Sequence, residues 1–180
     1  MSPFVANSIG SDLLNSIFNN IHSGLAIVGL DGKWVVVSKS LSQILGYSQE
    51  EFLKLSFQDI THKDDLHSDL KNVSSLLNGD IENYQMQKRY FAKAGNIVWA
   101  QLMVSLVKDN LGKPQYFISQ IHDITKQKEE TQIRKNLNTV VKAQNDRLMN
   151  FSRIISHNLR THTGNLTTLT SFVEDELARI

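Results

Sequence analysis

The spacing of apolar residues changes twice along this chain and divides it into three parts. Residues 11–22 place apolar side chains at helical spacing and predict a short amphipathic helix. Two runs rich in apolar and β-branched residues follow, at 25–30 and 34–37, on either side of Asp31 and Gly32. Such a pair of turn residues between apolar runs predicts a β-hairpin.

The middle of the chain has short helical patterns followed by further strands. Residues 40–78 predict several short helices, and the last of them is expected to end at Asn78 because Gly79 suits a left-handed cap. Turn-forming residues then separate three strand-like segments, at about 83–92, 97–108 and 115–122. Two strands, small helices and three strands indicate an α+β domain on a five-stranded antiparallel sheet.

From about Lys126 the pattern predicts one long helix with a single apolar stripe. The mean step along the stripe is about 3.67 residues, close to the straight-helix period of ~3.6, so we expect little supercoiling. The stripe would run for about 66 Å and needs a second helix to cover it, which predicts a parallel homodimer through residues 126–180. Its members are Ile133, Leu137, Val141, Gln144, Leu148, Phe151, Ile155, Leu159, His162, Leu166, Leu169, Val173 and Leu177.

Gln144 and His162 are the polar members of this stripe. Polar residues at such positions commonly control helix register, and we favour that interpretation for both. A second interpretation of His162 is a pH-sensitive wedge, because two facing imidazolium groups would repel each other.

His157 lies on the opposite side of the same helix. With Ile155 set to zero and ~100° per residue, His157 lies at about 200°, away from the apolar stripe. Thr161 is one turn further along on the same side, and Arg160 flanks it. A histidine buried for packing would share the stripe, so this position favours a histidine exposed to partners.

The run Ser156-His157-Asn158-Leu159-Arg160-Thr161 resembles the phosphoacceptor motif of bacterial two-component sensor histidine kinases, His-(Glu/Asp)-x-Arg-(Thr/Ser)-Pro. Asn158 stands where that family usually has an acidic residue, and His162 stands where it usually has proline. Without that proline, we expect a straighter helix than is usual in the family.

This resemblance implies an ATP-dependent protein-histidine kinase in which His157 is the phosphoacceptor and passes phosphate to an aspartate of a response-regulator receiver domain. It implies that Asn158 orients the ring in place of the usual acid. Thr161 would position the water of the phosphatase reaction, and Arg160 would either balance phosphate charge or pair with a carboxylate. ATP and Mg²⁺ would come from a catalytic ATP-binding domain. No such domain is recognisable in these residues, so we expect the N-terminal part of a kinase, inactive alone.

A second resemblance, to PAS sensory domains, covers roughly residues 13–128. Four segments in the right order carry it: Gly46–Phe52, Ile60–Leu66, Gly95–Trp99 and Asp123–Thr125. Ser38 replaces a frequent asparagine, which we expect to alter hydrogen bonding at the mouth of a ligand pocket, and Lys63 replaces a proline.

These features predict four parts in the chain. They are an N-terminal amphipathic helix (1–22), a PAS sensory domain (23–125), a coiled-coil linker (126–147) and a partial dimerisation and phosphoacceptor helix (148–180). Asp123–Thr125 ends the last strand and begins the long helix, so we expect it to be the mechanical joint between sensor and output.

Composition excludes several classes of function. The chain has 19 basic and 18 acidic side chains, which gives no field that favours nucleic acid or anionic lipid. No apolar run approaches the ~20 residues of a membrane span. The absence of cysteine excludes disulfides, thiolate metal sites and a cysteinyl flavin adduct, and it suits a reducing cytoplasm.

The other histidines do not predict a metal or haem site. His62 with His67, and His157 with His162, are each five residues apart, which suits a shared metal poorly on a helix, so we expect none. His67 is a conceivable haem ligand, but an exposed helix face is favoured because no further haem contacts are recognisable. His62 is interpreted as a capping or turn residue. Small apolar ligands, or no ligand, remain open for the sensory domain.

Two interpretations from other functional classes remain. One is a sensing and dimerisation module with a coiled-coil stalk and no phosphotransfer at His157. The other is a small-molecule carrier that uses the helix only to form oligomers.

Overall fold

The computed structural model describes Phe18 and residues 23–177, except for the side chains at 161, 162, 165, 166, 172 and 174–177. The predicted N-terminal helix at 1–22 therefore lies, apart from Phe18, outside the described residues. The described residues divide into two compact units, with the boundary between Lys128 and Glu129. The first contains a sheet with its small helices, and the second is helical.

The elements occur in the predicted order. They are β1 (Gly24–Gly29), β2 (Trp34–Val37), α1 (Lys39–Leu45), α2 (Gln49–Phe52), α3 (Phe57–Ile60), α4 (Lys63–Asn78), β3 (Asn83–Phe91), β4 (Ile97–Lys108), β5 (Pro114–Asp123) and α5 (Thr125–Leu177). The strands form one sheet in the order β2-β1-β5-β4-β3, and every neighbouring pair is antiparallel. The predicted α+β class with a five-stranded antiparallel sheet is confirmed.

The core lies between one face of the sheet and the short helices. Alternate residues of β4 are buried, as a strand with one covered face requires, and the inward residues are Val98, Ala100, Leu102 and Val104. Helix α1 contributes Leu41 and Leu45, and α2 contributes Phe52, all three fully buried.

The caps of α4 follow the predicted residue chemistry. Gly79 closes the helix with φ of 81°, a left-handed conformation that costs glycine little because it has no Cβ. His62 caps the other end, where its Nδ1 accepts a hydrogen bond from the backbone N–H of Asp64 at 3.3 Å. The interpretation of His62 as a capping residue is confirmed.

Ser38 connects α1 to the sheet. It is fully buried as the N-cap of α1, and the residues that line the interior cavity do not include it. Its Oγ accepts hydrogen bonds from the backbone N–H of Leu41 at 3.2 Å and from that of Leu25 at 2.9 Å. Ser38 therefore joins α1 to β1, an interior strand of the sheet, and its role at a pocket mouth stays a prediction.

We predict that Ser38→Ala lowers the free energy of unfolding by about 2 kcal/mol, because one buried and one partly buried backbone N–H group lose their acceptor. Urea denaturation of the chain measures the effect. The matched control is Ser48→Ala at the exposed N-cap of α2, which should cost about 1 kcal/mol or less. Equal losses in the two variants would contradict the proposed link between α1 and β1.

The long helix α5 is continuous from Thr125 to Leu177 and passes through His162 without a break in helical structure. The described apolar members of its stripe are all exposed in the single chain, with 40% to 65% of their surface accessible: Ile133, Leu137, Val141, Leu148, Phe151, Ile155, Leu159, Leu169 and Val173. Gln144 is also exposed, and the side chain of His162 lies outside the described residues. Within the described part of the chain, no helix has both the length and the apolar character needed to cross a bilayer.

Candidate functional site

His157 is exposed on the surface of α5. Arg153, Ile154 and Asn158 lie next to it on the helix surface. Arg160 is exposed one turn further along. The backbone of Thr161 continues the helix, and its side chain lies outside the described residues. The helix thus brings His157, Asn158 and Arg160 together on accessible surface.

The start of α5 is attached to the sheet through Trp99 of β4. The backbone N–H of Trp99 donates to Oγ1 of Thr125 at 3.0 Å, and the backbone N–H of Ile124 donates to the carbonyl oxygen of Trp99 at 2.8 Å. Asp123 accepts the backbone N–H of Thr125 at 2.8 Å. The ammonium of Lys128 lies 4.8 Å from the centre of the Trp99 ring, a cation–π contact one turn into the helix. Asp123–Thr125 therefore forms a joint with defined hydrogen bonds to β4.

Arg89 extends these contacts to α4. Its Nε and Nη2 donate to the two carboxylate oxygens of Asp65 at 2.9 and 2.7 Å, and its backbone N–H donates to Asp65 at 2.8 Å. Hydrogen bonds from Arg89 hold the pKa of the Asp65 carboxyl below its ordinary value. The guanidinium carbon of Arg89 lies 5.3 Å from the centre of the Trp99 ring. Continuous contacts therefore run from α4 through Arg89 and Trp99 to the first turn of α5.

A buried ion pair occupies the interior of the sheet domain. Lys88 of β3 and Asp69 of α4 are each 1% exposed, and Nζ of Lys88 lies 2.5 Å from Oδ2 of Asp69. Lys88 also donates to Oγ1 of Thr61 at 3.1 Å, and the hydroxyl of Tyr84 donates to Oδ1 of Asp69 at 2.7 Å. The ammonium lies 4.3 Å from the centre of the Tyr90 ring. Both charges therefore have polar partners, as buried charges require.

The protonation states of these groups follow from their surroundings. Burial by itself lowers the pKa of the Lys88 ammonium, but the attraction of Tyr90 and Asp69 outweighs burial and raises it above the ordinary value. Burial, together with the Asp69 carboxylate, raises the pKa of the Tyr84 hydroxyl well above its usual range. Lys88 is therefore a cation, Tyr84 is a neutral donor, and the pair with Asp69 has no net charge.

The ion pair was not predicted from the sequence, although two charged residues in otherwise apolar rows indicate it. Asp69 interrupts the apolar row of α4, which otherwise contains Leu66, Val73 and Leu76 at helical spacing. Lys88 likewise interrupts the inward row of β3, whose other members are Tyr84, Met86 and Tyr90. A charge of opposite sign in each of two apolar rows is the pattern that could have revealed the pair.

The ion pair lines a cavity of about 20 Å³. This volume is close to that needed for one buried water molecule. Polar residues on its wall are Trp34, Asp69, Tyr84, Lys88, Tyr90 and Ser119.

His67, the conceivable haem ligand, is exposed on α4 and is not part of this wall. In the described residues, no three histidine, aspartate or glutamate side chains come together as metal ligands would.

We predict that Asp69→Leu and Lys88→Met each lower the free energy of unfolding by about 3–5 kcal/mol, because each leaves an uncompensated buried partner. The double variant Asp69→Leu/Lys88→Met should recover most of the loss because both charges are removed. Urea denaturation of the three variants measures the coupling. Additive losses in the double variant would show that the two charges do not stabilise each other.

Residues 35–121 match the family model described as the PAS fold. The sheet domain has the PAS fold. The PAS domain of a Colwellia psychrerythraea protein superposes with a TM-score of 0.60 at 19% identity, covering 66% of this chain and 98% of that one. A PAS domain from a two-component sensor histidine kinase gives a TM-score of 0.55 at 17% identity, covering 65% of this chain and 98% of that one. At these identities the structural likeness shows the fold.

Curated relatives come from two classes of signalling protein. The probable diguanylate cyclase DgcE of Escherichia coli K12 is 47% identical over 114 residues, which is 63% of this chain and 10% of that protein. The sensor histidine kinase TmoS of Ectopseudomonas mendocina is 23% identical over 146 residues, 80% of this chain and 15% of that protein. The chain thus spans only about a tenth to a seventh of these relatives.

The two similarities cover different lengths of this chain. The similarity to DgcE is short enough to fit within the 128 residues of the first unit. The similarity to TmoS covers more of the chain than that unit contains, so it includes part of α5.

Proposed function

We propose that this chain is the PAS sensory domain and the phosphoacceptor helix of a sensor histidine kinase, with His157 as the acceptor. The observation that carries the proposal is an exposed histidine, within an acceptor-like sequence, on a helix whose first turn is hydrogen-bonded to the PAS sheet. The similarity to TmoS extends into this helix and supports the same function.

The proposed reaction transfers one phosphoryl group twice. A ring nitrogen of His157 attacks the γ-phosphorus of ATP, an N–P bond forms, the P–O bond to ADP breaks, and the ring gives up one proton. An aspartate oxygen of a response-regulator receiver domain then attacks the same phosphorus, the N–P bond breaks, and the ring takes up one proton from water. ATP and Mg²⁺ are supplied by a separate catalytic domain.

The neighbours of His157 have supporting roles in this proposal. The side-chain oxygen of Asn158 accepts from the ring N–H and orients the imidazole, but an amide cannot take up the proton. Water therefore receives the proton, which makes transfer slower than with a carboxylate neighbour. Arg160 balances phosphate charge, and Thr161 positions water in the phosphatase reaction.

A second copy of the chain covers the apolar stripe of α5. The stripe has at least 40% of each described side chain exposed, and burial of these residues against a parallel copy stabilises the pair. On the helical wheel, His157 remains on the outer side of such a pair, where a catalytic domain and a receiver domain have access.

Control of this reaction passes through the joint at Asp123–Thr125. A displacement of β4 moves Trp99, and its two backbone hydrogen bonds carry that displacement into the first turn of α5. A rotation or tilt of the paired helices then changes how His157 is presented.

The identity to DgcE supports a second candidate function. In that alternative the same PAS domain and helix control a diguanylate cyclase, and His157 carries no phosphate. A sensing and dimerisation module without phosphotransfer would also leave His157 unphosphorylated. The phosphorylation experiment below therefore distinguishes these two alternatives from the kinase.

We predict that His157 becomes phosphorylated when the chain is joined to the remaining acceptor helix and ATP-binding domain of a PAS-containing sensor histidine kinase. Incubation with ATP labelled in the γ-phosphate should give an acid-labile label, because a phosphoramidate hydrolyses in acid. His157→Gln should abolish the label.

The matched control is His67→Gln, which removes another exposed histidine and should retain full labelling. Label that persists in His157→Gln, or its absence from the unaltered chimera while the parent kinase is active, would contradict the acceptor role.

We predict that two residues inserted between Lys128 and Glu130 in this chimera change autophosphorylation at least several-fold. Two residues rotate the following helix by about 200° relative to the joint. The control insertion has seven residues, which restores the facing side to within about 20°, and it should retain more of the original activity. Equal activity after both insertions would argue against coupling through a rigid helix.

A further inference from the structure

The part of α5 around His157 contains basic residues and no acidic ones. Residues 147–173, here called the acid-free segment, include three arginines and neither aspartate nor glutamate, although the whole chain has a net charge of only +1. The arginines are Arg147, Arg153 and Arg160, and all three are exposed. The segment therefore has a locally positive surface, and a parallel second copy would double its charge.

Two of these arginines flank His157 on the same side of the helix. Arg153 comes four residues before it and Arg160 three residues after it. At ~100° per residue they lie about 40° and about 60° from His157, and side chains at these spacings have Cβ atoms about 5–6 Å apart. Arg153 lies next to the histidine on the helix surface. Both guanidinium groups can therefore reach one group bound to the ring.

No carboxylate close to these two guanidinium groups neutralises them. The positions three and four residues from Arg153 and from Arg160 hold no aspartate or glutamate. Neither arginine takes part in an ion pair found among the described residues. The nearest acid on this side is Asp146, about 10 Å before Arg153 along the axis, and Lys142 lies one turn from it. An anion at His157 would therefore find two uncompensated cations.

The chemistry of the flanking groups favours a phosphoryl group over other anions. A guanidinium donates parallel hydrogen bonds to two oxygens of one phosphate, which a single ammonium does less well. A phosphoryl group has about two negative charges near neutral pH and three acceptor oxygens. Two guanidinium groups, one on each side of the ring, therefore match both its charge and its oxygens.

We propose that Arg153 is a second phosphate-binding residue, and that with Arg160 it forms an anion site that holds the phosphoryl group at His157 from both sides. The site attracts anionic phosphoryl donors to the ring. Arg153 lies outside the acceptor-like sequence Ser156–Thr161, so the resemblance to acceptor motifs does not include it. The proposal rests on the proposed acceptor role of His157 and adds a residue to it.

Chemical phosphorylation tests this site without ATP or a catalytic domain. The probe is potassium phosphoramidate, a small anionic donor. A ring nitrogen attacks its phosphorus, the P–N bond of the reagent breaks, and ammonium leaves with the proton that the ring gives up. The whole chain is treated in a low-salt buffer, and phosphorylation of His157 and of the exposed His67 is followed by mass spectrometry of peptides kept at alkaline pH.

Arg153→Gln should lower the rate at His157 about two- to fivefold, the effect of one exposed charge, and leave the rate at His67 unchanged. Glutamine forms helices about as well as arginine, so α5 is retained. Arg153→Lys keeps the charge and should retain at least about half of the original rate. In about 0.5 M sodium chloride the difference between Arg153→Gln and the unaltered chain should shrink, because salt screens exposed charges.

Arg147→Gln is the matched control, since it removes the same charge from the same acid-free segment. Arg147 lies about 15 Å from His157 along the axis, so its loss should change the rate less than about 1.5-fold. Equal rates at His157 in Arg153→Gln and the unaltered chain would overturn the proposal. An equal loss in Arg147→Gln would overturn a local site, and a loss that salt leaves unchanged would overturn a role of the charge.

The chimera with an ATP-binding domain separates this proposal from the proposed function. Arg153→Gln should slow its labelling by ATP, whereas Arg147→Gln should not. If ATP labels His157 and Arg153→Gln changes neither that rate nor the phosphoramidate rate, the anion site fails and the acceptor role stands. If ATP does not label His157 in an active chimera, the acceptor role fails, and the phosphoramidate rates still decide whether Arg153 binds the phosphoryl group.

Discussion

The attachment of the first turn of α5 to Trp99 is the constraint on which a signalling role of this chain depends. A strand end and a helix start usually have backbone groups without partners, and here they satisfy one another: Trp99 donates to Thr125 and accepts from Ile124. Trp99 of β4 also contacts Lys128 of α5 and Arg89 of β3, which binds Asp65 of α4. Since Asp123 of β5 accepts from Thr125, three strands and one helix of the domain set the position where α5 begins. A domain without this joint would hold α5 only through the chain connection.

The domain interior combines a conventional apolar core with one neutral ion pair. Leu41, Leu45 and Phe52 supply apolar burial. Lys88 and Asp69 bring a cost of desolvation, which their mutual contact and their hydrogen bonds to Thr61 and Tyr84 offset. Such a pair specifies one arrangement of α4 against β3, since a slipped arrangement would leave both charges buried and separated. The same pair supplies the two charges on the cavity wall.

The helix and the domain require different kinds of partner. The sheet domain buries its own core, whereas the described apolar residues of the α5 stripe are exposed in the single chain, where the proposed second helix would cover them. His157 lies away from that stripe, so pairing of the helices and access to the histidine are compatible. The proposed transfer of a signal along the helix would serve either a kinase or a cyclase, the two classes to which its relatives belong.

Local chemistry determined much of this structure. The turn at Asp31 and Gly32, the cap at Gly79 and the strand boundaries could be predicted from sequence, because turns, caps and alternating strands depend on residues close together in the chain. The position of His157 opposite the apolar stripe follows in the same way from helical periodicity.

Contacts between distant segments could not be predicted in this way. Asp69 meets Lys88 across 19 residues, Ser38 joins α1 to β1 across 13, and Trp99 meets Thr125 across 26. Each depends on strand order and on the packing of helices against the sheet, which neither residue specifies alone. Sequence alone therefore determined the elements and the exposed histidine, whereas tertiary structure decided which polar groups became partners in the interior and at the joint, because those partners meet only after the chain has folded.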